Sequence, residues 1–159
     1  MSHIDDLLYF EEGYTQWVIY DSLGYPTIGI GKKLGPKYTP LDVYNFNVPL
    51  DVAKAWVTAD CKGLVYNLQN DARTKEAWNH CNEARQDVLI AMSYQLGFEG
   101  VCGFHNMLSA IEADDFQRAH DEMIDSVWHG QTENRCEREA DVMELGTYKP
   151  YEGLIKLSS

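Results

Sequence analysis

The stretch of the chain that decides the fold is residues 11–31, EEGYTQWVIYDSLGYPTIGIG. Two short runs rich in β-branched and aromatic residues, 17–20 and 27–31, flank a turn that contains Asp, Ser and Gly, which predicts a β-hairpin. Just before it, residues 3–11 carry apolar side chains on one helical face, and Gly13 follows as a helix terminator. The pattern predicts a short helix that leads directly into a small antiparallel sheet.

From Val48 onward, the apolar residues repeat at helical spacing. Between residues 50 and 69 the steps are three or four residues, which predicts one long amphipathic helix. Residues 88–96 are apolar nearly all round, as expected for a helix at the centre of a bundle. Shorter helices are predicted at 105–113, 116–125 and 133–145.

The predicted fold class is α+β, predominantly helical, with residues 1–159 in a single domain. We expect a small β lobe over about 13–48, a connecting helix over about 50–69, and a helical lobe over about 70–159 to which helix 3–11 also belongs. A cleft between two such lobes is the natural place for a ligand site.

The composition excludes several classes of protein. The chain has 13 basic and 25 acidic residues and a formal net charge of −12, so it lacks the basic face that binding to duplex nucleic acid requires. No apolar run reaches the ~18 residues of a transmembrane helix, and the N-terminus is not the cationic start of a secretory signal. The four cysteines form no Cys-x-x-Cys pair, which favours reduced, mostly buried thiols and synthesis in a reducing cytoplasm.

Two carboxylates are the strongest candidates for chemistry. Glu12 ends the helix that packs toward the helical lobe, and Asp21 lies in the turn of the hairpin. Glycoside hydrolysis needs such a pair on opposite walls of a cleft, because one carboxyl must hold a proton for the leaving oxygen while the other stays ionised. Thr27 follows on the next strand, where its hydroxyl could hold a water molecule. Spacing alone leaves open the alternative that these are solvated surface acids.

Three blocks of the sequence, in the same order, resemble the T-even bacteriophage lysozymes (glycoside hydrolase family 24). They are residues 12–31, residues 95–108 (QLGFEGVCGFHNML) and residues 128–135 (WHGQTENR). The resemblance implies a phage-lysozyme-like fold and hydrolysis of the β-1,4 bond between N-acetylmuramic acid and N-acetylglucosamine in peptidoglycan. It also implies that Glu12 is the general acid. Asp21 and Thr27 would position and activate a water molecule, in an inverting reaction.

The resemblance also implies roles for residues around this trio. An arginine from the C-terminal helix pairs with the acid in such lysozymes, and Arg135 holds that place; Arg138, one turn later, is expected to meet Glu11. Lys32 stands where the family often has a histidine, and its expected partner is Asp60. The expected substrate-binding positions are Lys33, Tyr94, Gln95, Met107 and Glu122.

The implied partner is the glycan strand of peptidoglycan, and no cofactor or metal is expected. The expected role is that of an endolysin: a monomer made in the host bacterial cytoplasm that reaches the periplasmic wall after release with the help of a holin. Two alternatives stay open, a lysozyme of a phage tail or baseplate and a catalytically silent relative that binds the wall or a partner. A zinc amidase is disfavoured, because the five histidines show no His-Glu-x-x-His spacing.

The acidic residues are concentrated over residues 112–125, which hold six carboxylates and one arginine. One interpretation is a solvated helix face. The other is that encounter with the anionic wall is repulsive, so that modest salt or Mg²⁺ raises the rate.

Overall fold

The computed structural model describes residues 1–157 and confirms a predominantly helical α+β fold. The helical boundaries predicted from the sequence agree with the structure to within one residue, except that the central helix begins earlier, at Glu83. The α-helices are α1 (Ile4–Glu12), α2 (Leu50–Asn70), α3 (Lys75–His80), α4 (Glu83–Leu96), α5 (Phe98–Cys102), α6 (His105–Glu112), α7 (Phe116–Ile124), α8 (Val127–Gln131) and α9 (Glu133–Leu145). Short 3-10 helices span Leu41–Val43 and Lys149–Tyr151.

The sheet is small and antiparallel, with strand order β1 (Thr15–Tyr20), β2 (Pro26–Gly29) and β3 (Lys32–Lys33). The register pairs Ile19 with Thr27, and Thr27 in turn pairs with Lys33. The predicted hairpin is therefore present, and β3 is the short strand that follows the glycine-rich run. This arrangement places the β1–β2 turn and the β2–β3 turn beside the end of α1.

Helix α2 connects the sheet to the helical elements that follow it. Its apolar residues pack on β2 on one side and on α3 and α4 on the other. Helix α4 lies at the centre, as the apolar pattern predicted, with eight of its fourteen residues buried. Helix α9 packs against α4, α7 and α8. The three helices α1, α4 and α9 thus meet where the candidate residues lie.

The first turn of α1 is held by one buried carboxylate. Asp87 of α4 is 1% exposed and accepts hydrogen bonds from the Ser2 hydroxyl at 2.7 Å, the His3 amide at 2.8 Å and the Tyr148 hydroxyl at 2.5 Å. Burial raises the pKa of Asp87, and these three donors oppose that rise. Because these hydrogen bonds fix the start of α1, they also help to fix the position of Glu12 at the other end of the helix.

The cysteines behave as the composition predicted: all four are free and buried (Cys61, Cys81, Cys102, Cys136). Trp17 is 58% exposed in the hairpin, although the apolar character of its side chain favours burial in the core. Among residues 1–157, no helix combines the length and the apolar character needed to cross a bilayer.

Candidate active site

A cleft of about 880 Å³ separates the hairpin from the helical elements. Its walls come from the β1–β2 turn, from residues 31–33, and from α1, α2, α4 and α9. Glu12 and Asp21 both border it, on the walls that the sequence predicted. A second cavity of about 990 Å³ lies between α1, α2 and α4, but neither of these carboxylates lines it. The cleft is therefore the candidate active site.

Glu12 is the last residue of α1, and its carboxyl group lies against Gly31 in the turn between β2 and β3. Its side chain is 16% exposed. A Cβ atom added at Gly31 would lie 2.5 Å from Glu12 Oε2, and Gly31 also has a φ of +66°. Both the close approach and the backbone conformation require glycine. The glycine in the turn between β2 and β3 therefore lets the carboxyl group of Glu12 lie directly against the backbone of that turn.

Asp21 occupies a different environment in the β1–β2 turn. Its Oδ1 accepts hydrogen bonds from the amides of Leu23 and Tyr25, both at 2.9 Å. Within residues 1–157, Oδ2 accepts no hydrogen bond, and the residue is partly exposed at the cleft. Two amide donors on one oxygen restrict the rotation of the carboxylate. The turn thus holds Asp21 in one orientation with one oxygen left for a ligand or a water molecule.

Arg135 of α9 reaches Glu12, as the sequence predicted. Its Nη1 donates to Glu12 Oε1 at 2.6 Å, its Nε donates to Glu139 Oε1 at 2.7 Å, and its Nη2 donates to the carbonyl of Ala91 at 3.2 Å. The arginine side chain is only 8% exposed. Burial alone would lower its pKa, yet Glu139 and Glu12 together hold it above the ordinary value. One buried cation therefore lies between two carboxylates.

A second arginine pair stands beside the first. Arg138 donates to Glu11 from Nε and Nη2, both at 2.8 Å, and the Tyr151 hydroxyl also donates to Glu11 at 2.7 Å. The Glu11 side chain is 3% exposed. This bidentate pair joins the end of α1 to α9 and to the 3-10 helix Lys149–Tyr151. Both pairings between α1 and α9 that were expected from the sequence are present.

Tyr94, Gln95 and Lys33 also border the cleft. The Tyr94 hydroxyl donates to the carbonyl of Ile30 at 2.5 Å, which links α4 to the glycine-rich run. Gln95 is held by Trp128, whose indole N–H donates to Gln95 Oε1 at 2.9 Å. Burial and the neighbouring Glu12 raise the pKa of Tyr94, so its hydroxyl keeps its proton.

Comparison with known proteins gives one consistent result. The chain is 27% identical over 163 residues to the pre-baseplate central spike protein Gp5 of Enterobacteria phage T4, covering 92% of this chain and 28% of that protein's length. It is 27% and 25% identical to two Dictyostelium discoideum proteins, "Probable T4-type lysozyme 1" and "Probable T4-type lysozyme 2", over 95% of this chain and 99% of each relative. No family model matches the chain. The chain is a relative of the T4-type lysozymes.

Not every residue that the T4-type resemblance singled out lies in the cleft. Thr27 is close behind it: its hydroxyl donates to the carbonyl of Tyr25 at 3.0 Å, and its side chain does not border the cavity. Met107 and Glu122 both line a separate depression of about 440 Å³, away from Glu12. Met107 is 0% exposed and Glu122 is partly exposed. Their expected contacts with substrate stay predictions.

Several cleft residues of this lysozyme relative were missed by sequence reasoning. Asn67 and Gly63 extend the polar face of α2 that begins at Asp60, and Thr132 stands just before α9. The spacing of these polar residues along α2, at steps of three and four, was the available signal. Glu139 was also missed, because a Glu four residues after an Arg is the ordinary pattern of an exposed helical ion pair.

Two exposed groups of side chains in the helical elements come close enough together to hold a cation. They are His120 with Asp141 and Glu144, and His129 with Glu133 and Glu137. Exposed acidic groups often cluster in this way without an ion, and neither group borders the cleft. We therefore assign no metal to this T4-type lysozyme relative.

Lys32 forms its expected ion pair, with Nζ 2.7 Å from Asp60 Oδ2, and the two side chains are 40% and 35% exposed. We expect Lys32→Met to lower the free energy of unfolding by less than about 1 kcal/mol, since solvent screens the pair. The corresponding drop in unfolding temperature is about 1–4 °C. The drop should be equal at pH 5 and pH 8, because the pair contains no imidazole that could act as a switch in this range. An unchanged unfolding temperature at both pH values would show that the pair contributes nothing.

Proposed function

We propose that the chain is a muramidase that hydrolyses the β-1,4 bond between N-acetylmuramic acid and N-acetylglucosamine in peptidoglycan. The observation that carries this proposal is the asymmetry of the two cleft carboxylates. Glu12 is largely buried against Arg135 and Gly31, whereas Asp21 is partly exposed and held by backbone amides. Glycosidases use such unequal environments to separate the acid from the base.

In the proposed mechanism, the glycan strand lies in the cleft between the two carboxylates. Glu12 gives its proton to the glycosidic oxygen as the bond from that oxygen to the anomeric carbon breaks. A water molecule attacks the anomeric carbon from the opposite face and gives its proton to Asp21. The Thr27 hydroxyl, which donates to the Tyr25 carbonyl in this structure, turns toward the cleft to hold that water molecule. The configuration at the anomeric carbon inverts, and no covalent intermediate forms.

The test is an analysis of the products that purified wild-type chain releases from peptidoglycan sacculi. Mass spectrometry should find new reducing ends on muramic acid, and proton NMR of a short glycan should show the α-anomer first. The Asp21→Asn variant, purified in the same way, should release neither. Reducing ends on glucosamine, an initial β-anomer, or free peptide stems without new reducing ends would each contradict the proposal.

We further propose that this monomeric enzyme acts as an endolysin, made in the host bacterial cytoplasm and released to the periplasmic wall by a holin. Expression of the chain alone in a Gram-negative host should leave the cells intact, and co-expression with a membrane-permeabilising holin should lyse them. Lysis without the holin would contradict this role.

A second role is favoured by one observation, the similarity to the phage T4 spike protein over 92% of this chain. In that case the chain would work as part of a virion. Detection of the chain in purified virus particles, rather than free in the lysate, would support this role over that of an endolysin.

The charge of the chain predicts how its rate responds to salt. With a net charge of −12, encounter with an anionic wall is repulsive, and ions screen that repulsion over a distance of about 10 Å at 0.1 M. We expect the initial clearing rate of permeabilised cells to rise about two- to threefold between 10 mM and 100 mM NaCl. Cleavage of a short soluble oligomer of alternating N-acetylmuramic acid and N-acetylglucosamine, which carries far less charge than the wall, serves as the control and should change much less. A clearing rate that falls steadily from 10 mM upward would contradict the prediction.

A further inference from the structure

Glu139 is a buried acid in the middle of α9. Its side chain is 0% exposed. Oε1 accepts a hydrogen bond from Arg135 Nε at 2.7 Å, while Oε2 is buried and has no hydrogen-bond partner among residues 1–157. An ionised carboxylate with an unpaired oxygen is costly to bury. The environment of Glu139 therefore favours a state in which Oε2 carries a proton.

Charged and titratable groups surround Glu139 on several sides. Arg135 is its only direct ionic contact among the described residues. Burial raises the pKa of Glu139 to about 7, against the opposing effect of Arg135, and Glu11 and Glu12 add to the rise. The other titratable groups nearby are Tyr151 of the 3-10 helix, Cys136 of the same helix and Arg138, which pairs with Glu11. Helix α4 contributes the carbonyl of Ala91, which accepts a hydrogen bond from Arg135. The histidines of α7 and α8 pair with exposed acids of α9 instead: His120 pairs with Asp141, and His129 pairs with Glu137.

We propose that Glu139 is a positioning residue for the general acid, and that it controls through Arg135 how strongly the guanidinium stabilises the ionised form of Glu12. This inference rests on the proposed role of Glu12. When Glu139 carries a proton, the full charge of Arg135 is available to the Glu12 carboxylate. When Glu139 is ionised, it neutralises the same guanidinium, and its own negative charge adds to the repulsion felt by an ionised Glu12.

The direction of the effect follows from these two states. At pH 5 Glu139 is protonated, and replacing it with an uncharged residue changes little. At pH 8 it is ionised and helps Glu12 to keep its proton. The wild-type chain should therefore retain more activity on the alkaline side than a variant without this charge.

The experiment compares kcat/KM of the wild type and Glu139→Gln on the same glycan from pH 5 to pH 8. The ratio of wild type to variant should lie near 1 at pH 5 and rise to at least about threefold at pH 8. Glu139→Met introduces a side chain of similar volume without charge, and the ratio of wild type to this variant should rise in the same way. Agreement between the two variants shows that the effect does not come from the hydrogen bonds of the glutamine amide. The matched control is Glu137→Gln, an exposed acid two residues earlier on α9, whose ratio should stay near 1 throughout.

Thermal unfolding of the same variants supplies a readout that does not depend on activity. A group whose pKa is raised on folding binds more protons in the folded state, so stability falls as pH rises between the two pKa values. Between about pH 4.5 and pH 7 the wild type should lose stability that the Glu139→Gln variant does not lose. If the wild type proves inactive on peptidoglycan, the proposed function fails while this titration remains measurable. An active wild type whose ratio to Glu139→Gln stays constant from pH 5 to pH 8 would overturn the inference about Glu139.

Discussion

Replacing Glu12 with glutamine should lower kcat on peptidoglycan by at least about 10³-fold, because the amide cannot give a proton to the leaving oxygen. The amide oxygen can still accept the hydrogen bond from Arg135 Nη1, so the variant should fold as the wild type does. Neutralising one of the two carboxylates that flank Arg135 leaves the guanidinium with its partner Glu139. A large loss of rate with little loss of stability is the signature of a catalytic acid.

The measurement is the release of reducing ends under saturating substrate, with circular dichroism and thermal unfolding of the same preparations. Glu133→Gln is the matched control, since it removes an exposed carboxylate at the start of α9 that does not border the cleft. It should retain the wild-type rate within about twofold. If a folded Glu12→Gln variant keeps more than a tenth of the wild-type kcat, Glu12 is not the general acid.

Replacing Arg135 with methionine should lower the free energy of unfolding by about 3–5 kcal/mol at pH 7, the usual cost of removing one partner from a buried ion pair. The arginine serves two carboxylates at once, and one of them, Glu139, has no exposed side-chain surface. Without the cation, Glu12 and Glu139 must bind protons to stay buried. The cost should therefore be smaller at pH 5 and larger at pH 8, because the folded variant must hold more protons than the folded wild type over this range.

Urea denaturation of wild type and Arg135→Met at pH 5, pH 7 and pH 8 measures this prediction. Lys32→Met provides the matched comparison, since it removes a cation from an ion pair that is more than one-third exposed and should cost less than about 1 kcal/mol at each pH. Two outcomes would contradict the prediction. One is a loss of unfolding free energy in Arg135→Met as small as that in Lys32→Met, and the other is a loss that does not change with pH. Either would show that burial does not determine the contribution of Arg135 and its two carboxylates to stability.

Local patterns predicted most of the secondary structure of this chain. The turn at Asp21, the glycines after Thr27 and the apolar spacing of α2 and α9 are all decided by neighbours in the sequence. Glycine at position 31 is an intermediate case. Its place in a glycine-rich run is visible in the sequence, but the reason for it, the Glu12 carboxyl lying against its Cα, appears only in the folded chain.

The differences between the sequence-based expectations and the structure have a common physical cause, which is that a helix or a strand has more than one face. Met107 lies in a block that resembles the lysozymes, but the face of α6 that carries it is buried beside the depression that Glu122 borders and not in the cleft. Trp17 is apolar, but the face of β1 that carries it looks outward. Which face is covered depends on the other elements, and side-chain type alone does not decide it.

The sequence by itself determined the order of the longer helices and the pairing of the hairpin, and its resemblance to the lysozymes singled out Glu12, Asp21 and Arg135. Only the tertiary structure decided the electrostatic environment of the Glu12 carboxyl group. Arg135 and Glu139 have the spacing of a solvated helical pair, and the packing of α1, α4 and the 3-10 helix Lys149–Tyr151 around them removes that solvent. Since the cost of a charge depends on what surrounds it, the same two residues act as a surface pair or as a buried switch according to contacts that lie far away in the sequence.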